Sequence, residues 1–296
     1  MIPVHLLTCW LFVCRFELGI AGAAFSNNLT ALITISCQII YVSRLEKVKD
    51  AWYWPTGKTF QNLGPFMRLA MPGILMLLLE NFSMEVLVLL AGLLQNVEMF
   101  AAQVILVAIG QFVIMIPYGL SLAAVSMVGH SLGANKPAQA QANYKMIVLA
   151  SGALCLLVAI VLSLSSGALI SLFTADEEVQ RLAEASFGVF VVAFAFDWSQ
   201  CCISGLIKGA GFQGIGSICS LLCLLIVAMP SECILAHRHE WGISGLWAGY
   251  GASALLLTIL YLLILSCVID WKETAQKAAE SDEFSVSSSE GNSSNS

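Results

Sequence analysis

Seven apolar stretches, each of roughly 20 residues or more, follow one another near residues 18–42, 67–94, 100–127, 146–173, 184–207, 212–236 and 242–269. A helix rises 1.5 Å per residue, so about 20 residues cross the ~30 Å hydrocarbon core of a bilayer. The chain is 58% hydrophobic and only 11% charged, with mean hydropathy +0.85, whereas water-facing domains carry about 25% charged residues. Its surface must therefore be solvated largely by lipid. Strand-like alternation is missing from the stretches, so helices rather than a closed barrel are expected to satisfy the backbone. The expected fold is all-α: a polytopic membrane helix bundle with seven complete transmembrane helices and a partial one. The partial helix is MIPVHLLTCWLFV, too short for a full span and without the basic start and cleavage site of a signal peptide.

These stretches suggest five segments: a partial helix with an outer loop over 1–17, a complete helix over 18–42, a polar linker over 43–66, six helices over 67–269 and a disordered tail over 270–296. Trp52, Tyr53 and Trp54 in the linker suit a membrane interface. The tail ends in SVSSSEGNSSNS, which has nothing to bury. With the linker on the cytoplasmic side, Arg44, Lys47, Lys49, Lys58, Arg68, Lys136, Lys145, Lys208, Lys272 and Lys277 all fall inside. Only Arg15, Arg181 and Arg238 fall outside. That asymmetry places the C-terminus in the cytoplasm.

Several familiar signals carry no chemistry here. Most of the ten cysteines sit in apolar runs such as SICSLLCLL and read as small hydrophobes. Adjacent Cys201 and Cys202 do not have zinc-site spacing. Gly209, Gly211 and Gly214 have dinucleotide-fingerprint spacing but no preceding strand, and read as a tight turn between helices. His237 and His239 read as part of a short solvated loop. No cofactor, metal or nucleic acid is expected, and no enzymatic residues stand out.

The residues that stand out are acids inside spans. An ionised side chain at mid-membrane costs about 2.5–3.5 kcal/mol on insertion scales, so such acids are functional candidates by default. Glu80 and Glu85 lie in one span and Asp197 in another. The competing reading is a protonated acid hydrogen-bonded between helices. On an ideal helix Glu80 and Glu85 point about 140° apart and do not share one narrow face. Asp197 heads a stripe with Gln200, Ser204 and Lys208 at helical spacing. Asn81, Gln103, Gln111 and Gln200 are candidates for a substrate cleft, with amide bridges between helices as the alternative for Gln103 and Gln111. Glu232, just after Pro230 and close to the end of its span, reads as interfacial.

Five stretches taken together resemble the multidrug and toxic compound extrusion family, eukaryotic type. They are ELGIAGAAFSNN, FMRLAMPGILMLLLENFSMEVLVLLAGLL, IMIPYGLSLAAVSMVGHSLGANKPAQAQ, AFDWSQCCISGLIKGAGFQGIGS and GISGLWAGY, in the family's order. The resemblance implies twelve helices in two six-helix lobes, of which this chain would carry the end of the fifth, the sixth and the whole second lobe. It also implies that Glu80 and Glu85 in LENFSMEV and Asp197 in FDWSQ bind protons or cations. Mammalian relatives tend to carry a further glutamate in the eighth helix; QVILVAIGQF here has none around Ala108, a departure that bears on substrate range.

The function so implied is a secondary antiporter exporting organic cations or xenobiotics in exchange for protons, with protons ahead of sodium. A carboxylate that serves either a proton or a cation would couple the two. Phe82 and Met84 could hold flat cations or simply pack. The expected partners are the lipid bilayer, small organic cations, protons, and a missing N-terminal lobe or a second copy of the chain. The expected location is the plasma membrane or an endosomal or vacuolar membrane. Two alternatives remain: a seven-helix receptor, whose acid-arginine and Asn-Pro-x-x-Tyr signatures are missing, and a non-transporting half-carrier that needs a partner lobe.

Overall fold

The structure, a computed structural model, describes residues 2–45 and 63–280. The aromatic cluster of the 43–66 linker and the serine-rich end of the tail lie outside the described residues. Among the described residues every regular element is helical, and seven helices are long and apolar enough to cross a membrane. The chain divides into two compact units, Met1–Gly64 and Pro65–Ser296.

In the first unit, α1 (Ile2–Arg15) runs antiparallel to α2 (Gly19–Ser43). The turn between them needs left-handed backbone at Glu17 (φ 53°) and Gly19 (φ 52°). Hydroxyls hold the pair together: Thr8 Oγ1 lies 2.7 Å from Ser26 Oγ, and His5 Nδ1 lies 3.2 Å from Thr30 Oγ1. Such side chains bond across helices where lipid supplies no partner.

The second unit contains α3 (Leu63–Gly92), α4 (Val97–Gly133), α5 (Pro137–Ser171), α6 (Glu177–Gly209), α7 (Gln213–Arg238) and α8 (Gly242–Val268). Short connections make neighbours in sequence neighbours in space. Each turn has local chemistry that stops one helix and starts the next. Asn96 caps α4 by accepting from Met99 N at 2.7 Å. Pro137 opens α5 in the first turn, where its missing N–H costs nothing. Asp176 caps α6 by accepting from Glu178 N and Val179 N. Gly211 (φ 83°) turns the chain into α7, as expected of the glycine cluster. The helical run of α4 breaks at Ile114, three residues before Pro117, which cannot donate to the preceding turn.

The helix α6 is the hub of this unit. Its most apolar window is 78% buried within the protein, against 17% for α5. It packs against α4, α5 and α8, and small residues set the approach. A Cβ on Gly205 would collide with the Ser121 carbonyl of α4, and one on Gly251 of α8 would lie 2.9 Å from Ala193 Cα. Around these contacts Phe190, Trp198 and Trp247 fill the core. Trp198 donates to Ser151 Oγ at 3.1 Å, while Trp247 stands edge-on to Phe190 at 4.8 Å between ring centres.

Two sequence expectations change. Residues 271–280, expected to be disordered, form a helix, α9, with Trp271 and Ala275 buried. Trp271 stacks on Tyr144 of α5 at 5.9 Å, which gives this short segment the apolar anchor that its polar composition concealed. In addition α3 begins at Leu63, within the stretch read as linker.

The glycine contacts generate a paired test. Gly205→Ala should destabilise the bundle by about 1–3 kcal/mol through overpacking against Ser121. Gly188→Ala, in the same helix with nothing within 4 Å of its added Cβ, should leave stability unchanged or raise it. Thermal unfolding in detergent, followed by tryptophan fluorescence, reads both.

Candidate functional site

Near the middle of the second unit, Glu80 of α3 and Asp197 of α6 line the same two small chambers. The first, about 40 Å³, is also lined by Asn81, Gln111, Tyr118, Gln200 and Tyr250. The second, about 30 Å³, lies on the other side of Glu80, Asp197, Gln200 and Tyr250, and adds Ser83, Ser220 and Ser253. Those four shared side chains form a polar partition. Each chamber has room for about one water molecule or proton carrier, not for an organic ligand.

The two acids are stabilised differently. Asp197, 8% exposed, accepts a hydrogen bond from Tyr250 Oη at 2.7 Å. Glu80 pairs with Lys208, whose Nζ lies 3.4 and 3.3 Å from the two carboxylate oxygens and 3.4 Å from Ser204 Oγ. The side chain of Glu80 is 8% exposed and that of Lys208 21%. The amide nitrogen of Gln200, buried between these groups along α6, has no hydrogen-bond partner.

A third cavity, about 480 Å³, opens between α3 and α4 beside the chambers. Its walls are mostly apolar, including Phe66, Ile74, Leu77, Leu122 and Val125, while Tyr118 and Lys208 form its polar edge. This volume lies within the range of about 300–1,000 Å³ typical of small-molecule pockets. Lys208 and Tyr118 thus connect an organic-sized apolar space to the carboxylates.

The stripe at Asp197, Gln200, Ser204 and Lys208 faces inward, and its lysine reaches Glu80 on a different helix. Glu80 and Asp197 come together as chamber walls, whereas Glu85 is exposed on the surface of the unit. Asn81, Gln111 and Gln200 line the first chamber. Gln103 does not. It is fully buried in the core, where its Oε1 accepts from Trp247 Nε1 at 2.9 Å. This is the interhelical bridge weighed as the alternative. Glu232, read as interfacial, is 0% exposed within the protein. Tyr118 and Tyr250 had no sequence signal, since nothing near either residue distinguishes a site tyrosine from a packing aromatic. Lys208 did have one, as the last member of the stripe.

A family model described as MatE matches residues 72–234. The chain belongs to the MatE family. Its relatives include Protein DETOXIFICATION 16 from Arabidopsis thaliana, 31% identical over 96% of this chain and 58% of that protein. Multidrug and toxin extrusion protein 1 from Danio rerio is 28% identical over 93% of this chain and 46% of its own length. The chain thus spans about half the length of these curated relatives. The crystal structure of the eukaryotic MATE transporter AtDTX14 superposes with a TM-score of 0.88 at 26% identity, covering 94% of this chain and 62% of that one. This MatE chain is an integral membrane protein, and its second unit carries the chambers.

The ion pair can be tested by itself. Lys208→Gln should destabilise the protein by on the order of 2 kcal/mol, because it leaves a buried carboxylate without its counter-charge. Adding Glu80→Gln should recover most of that loss. Unfolding of the two single variants and the double variant in detergent gives the coupling energy.

Proposed function

We propose that this chain forms the ion- and cargo-handling lobe of a secondary antiporter that exports organic cations or other xenobiotics in exchange for protons. The observation that carries the reading is the placement of Glu80 and Asp197 on one polar partition inside a MatE membrane bundle, beside an apolar cavity of ligand size. The names of its relatives, which describe multidrug and toxin extrusion, support the substrate class.

Lys208 serves as the resting counter-cation of Glu80. A proton arriving at Glu80 removes the charge that holds the ammonium; an organic cation in the adjoining cavity competes for the same carboxylate. Either event replaces one positive charge on Glu80 by another, so the two ligands exclude each other. In a low-dielectric interior that competition is strong, because an unpaired ion there is costly. Asp197, held by the Tyr250 hydroxyl, provides a second carboxyl on the partition. Glu85, on the surface of the unit, is proposed as a further proton or cation ligand of the complete transporter.

The distribution of basic residues supports a cytoplasmic C-terminus. Tag mapping should find Lys272 and the segment after it on that side, with Arg181 on the other.

Exchange is measured as efflux of a fluorescent organic cation from proteoliposomes after a pH jump, with the chain alone and together with the N-terminal lobe of a relative. The pair should transport and the chain alone should not. Glu80→Gln and Asp197→Asn should each slow exchange by roughly tenfold or more, about 1.4 kcal/mol of barrier. Glu98→Gln, at the exposed start of α4, should exchange at the original rate. Unchanged rates in both chamber variants would mean that the acids are structural.

A further inference from the structure

Glu232 has no exposed surface within the described protein, and nothing in the chambers uses it. It is 0% exposed, and neither Oε1 nor Oε2 has a hydrogen-bond partner. It lies six residues before Arg238 at the end of α7, about 9 Å along the axis. Two widened helical turns flank it, Cys223–Ala228 and Ile234–Arg238, and Pro230 removes one backbone donor from the stretch between them. This part of α7 can therefore change its hydrogen bonding more readily than a regular helix.

The opposite wall is α8. A Cβ on Gly249 would lie 2.5 Å from Glu232 N, and one on Gly245 would lie 2.6 Å from the Leu235 carbonyl carbon, so the two helices touch backbone to backbone at the acid. Ser231 Oγ reaches the Gly249 carbonyl at 3.2 Å. The next residue of α8 is Tyr250, which donates to Asp197. The titratable groups around Glu232 are few. Tyr250 faces it from α8; His237 and Arg238 follow on α7 itself; Glu80 of α3 lies across the chamber that Ala228 and Tyr250 line. None bonds its carboxyl group.

An isolated carboxylate enclosed in this way, with no cation beside it, takes up a proton rather than remain an unpaired buried ion. We propose that Glu232 is a second proton-binding site of the lobe, separate from the Glu80 and Asp197 chambers and coupled to them through the α7–α8 contact at Gly249 and Tyr250. Loss of the proton leaves a charge against the α8 backbone, and relief of that charge moves the crossing. Tyr250 moves with Gly249, so the hydrogen bond to Asp197 responds. The proposal requires only that the bundle sits in a membrane; it does not depend on what is transported or in which direction.

Infrared difference spectroscopy of the purified chain in lipid, recorded as a function of pH, detects protonated carboxyl groups by their C=O stretch. One such band should grow as pH falls, persist in a Glu80→Gln, Asp197→Asn double variant and vanish in Glu232→Gln. Tyr250→Phe should shift its midpoint. If Glu232→Gln does not fold, Glu232→Asp should move both the frequency and the midpoint. A spectrum that either Glu232 variant leaves unchanged, or a Glu232 band of constant intensity at every pH, overturns the site. A midpoint unmoved by Tyr250→Phe overturns the coupling. Failure of the antiport reading would leave the band in place, so the two ideas fall separately.

Discussion

The burial of α6 in a bundle whose outer surface is lipid governs the rest of the second unit. Lipid offers neither hydrogen-bond partners nor counter-charges, so the polar groups on this helix look for partners within the protein. Lys208 turns to α3, Asp197 turns to α8 and Trp198 turns to α5. The small residues at Gly205 and Gly209 bring α4 close enough to seal the remaining face. Packing and polar satisfaction are therefore one problem here. The chambers form where the two leave space between α3, α6 and α8.

Three acids enclosed in this unit meet three different fates. Glu80 has a lysine, Asp197 has a tyrosine hydroxyl, and Glu232 has no partner. The first is an ion pair. The second is a neutral donor that stabilises charge without neutralising it. The third is the proton site proposed above. Such a gradient of stabilisation fits the exchange proposed above, since identical sites would load and empty together.

Two of the helices around these groups are distorted. α4 breaks at Ile114 before Pro117, and α7 carries widened turns on both sides of Pro230. Each distortion frees backbone groups from the regular ladder, and such groups are tolerated inside a membrane protein only where protein or a water-lined cavity surrounds them. Their place beside Tyr118 and Glu232 puts the adaptable backbone next to the titratable side chains.

The sequence by itself determined that the chain is a helical membrane bundle, because the length and purity of seven apolar runs leave no other solution to the lipid's demand on the backbone. It also exposed Glu80, Asp197 and the stripe ending at Lys208, since charge inside such runs is conspicuous and helical spacing places it on one face. The separation of Glu80 from Glu85 followed from helix geometry alone. What it could not show were contacts between helices distant in the chain. Lys208 meets Glu80 across 128 positions, and Trp247 meets Gln103 across 144. Tertiary packing decided which polar residue became chamber wall and which became core bridge. It also enclosed Glu232 against α8 and anchored residues 271–280 through one tryptophan. Hydropathy records how apolar a segment is, but not which neighbour covers it, and for these residues the neighbour is what sets the chemistry.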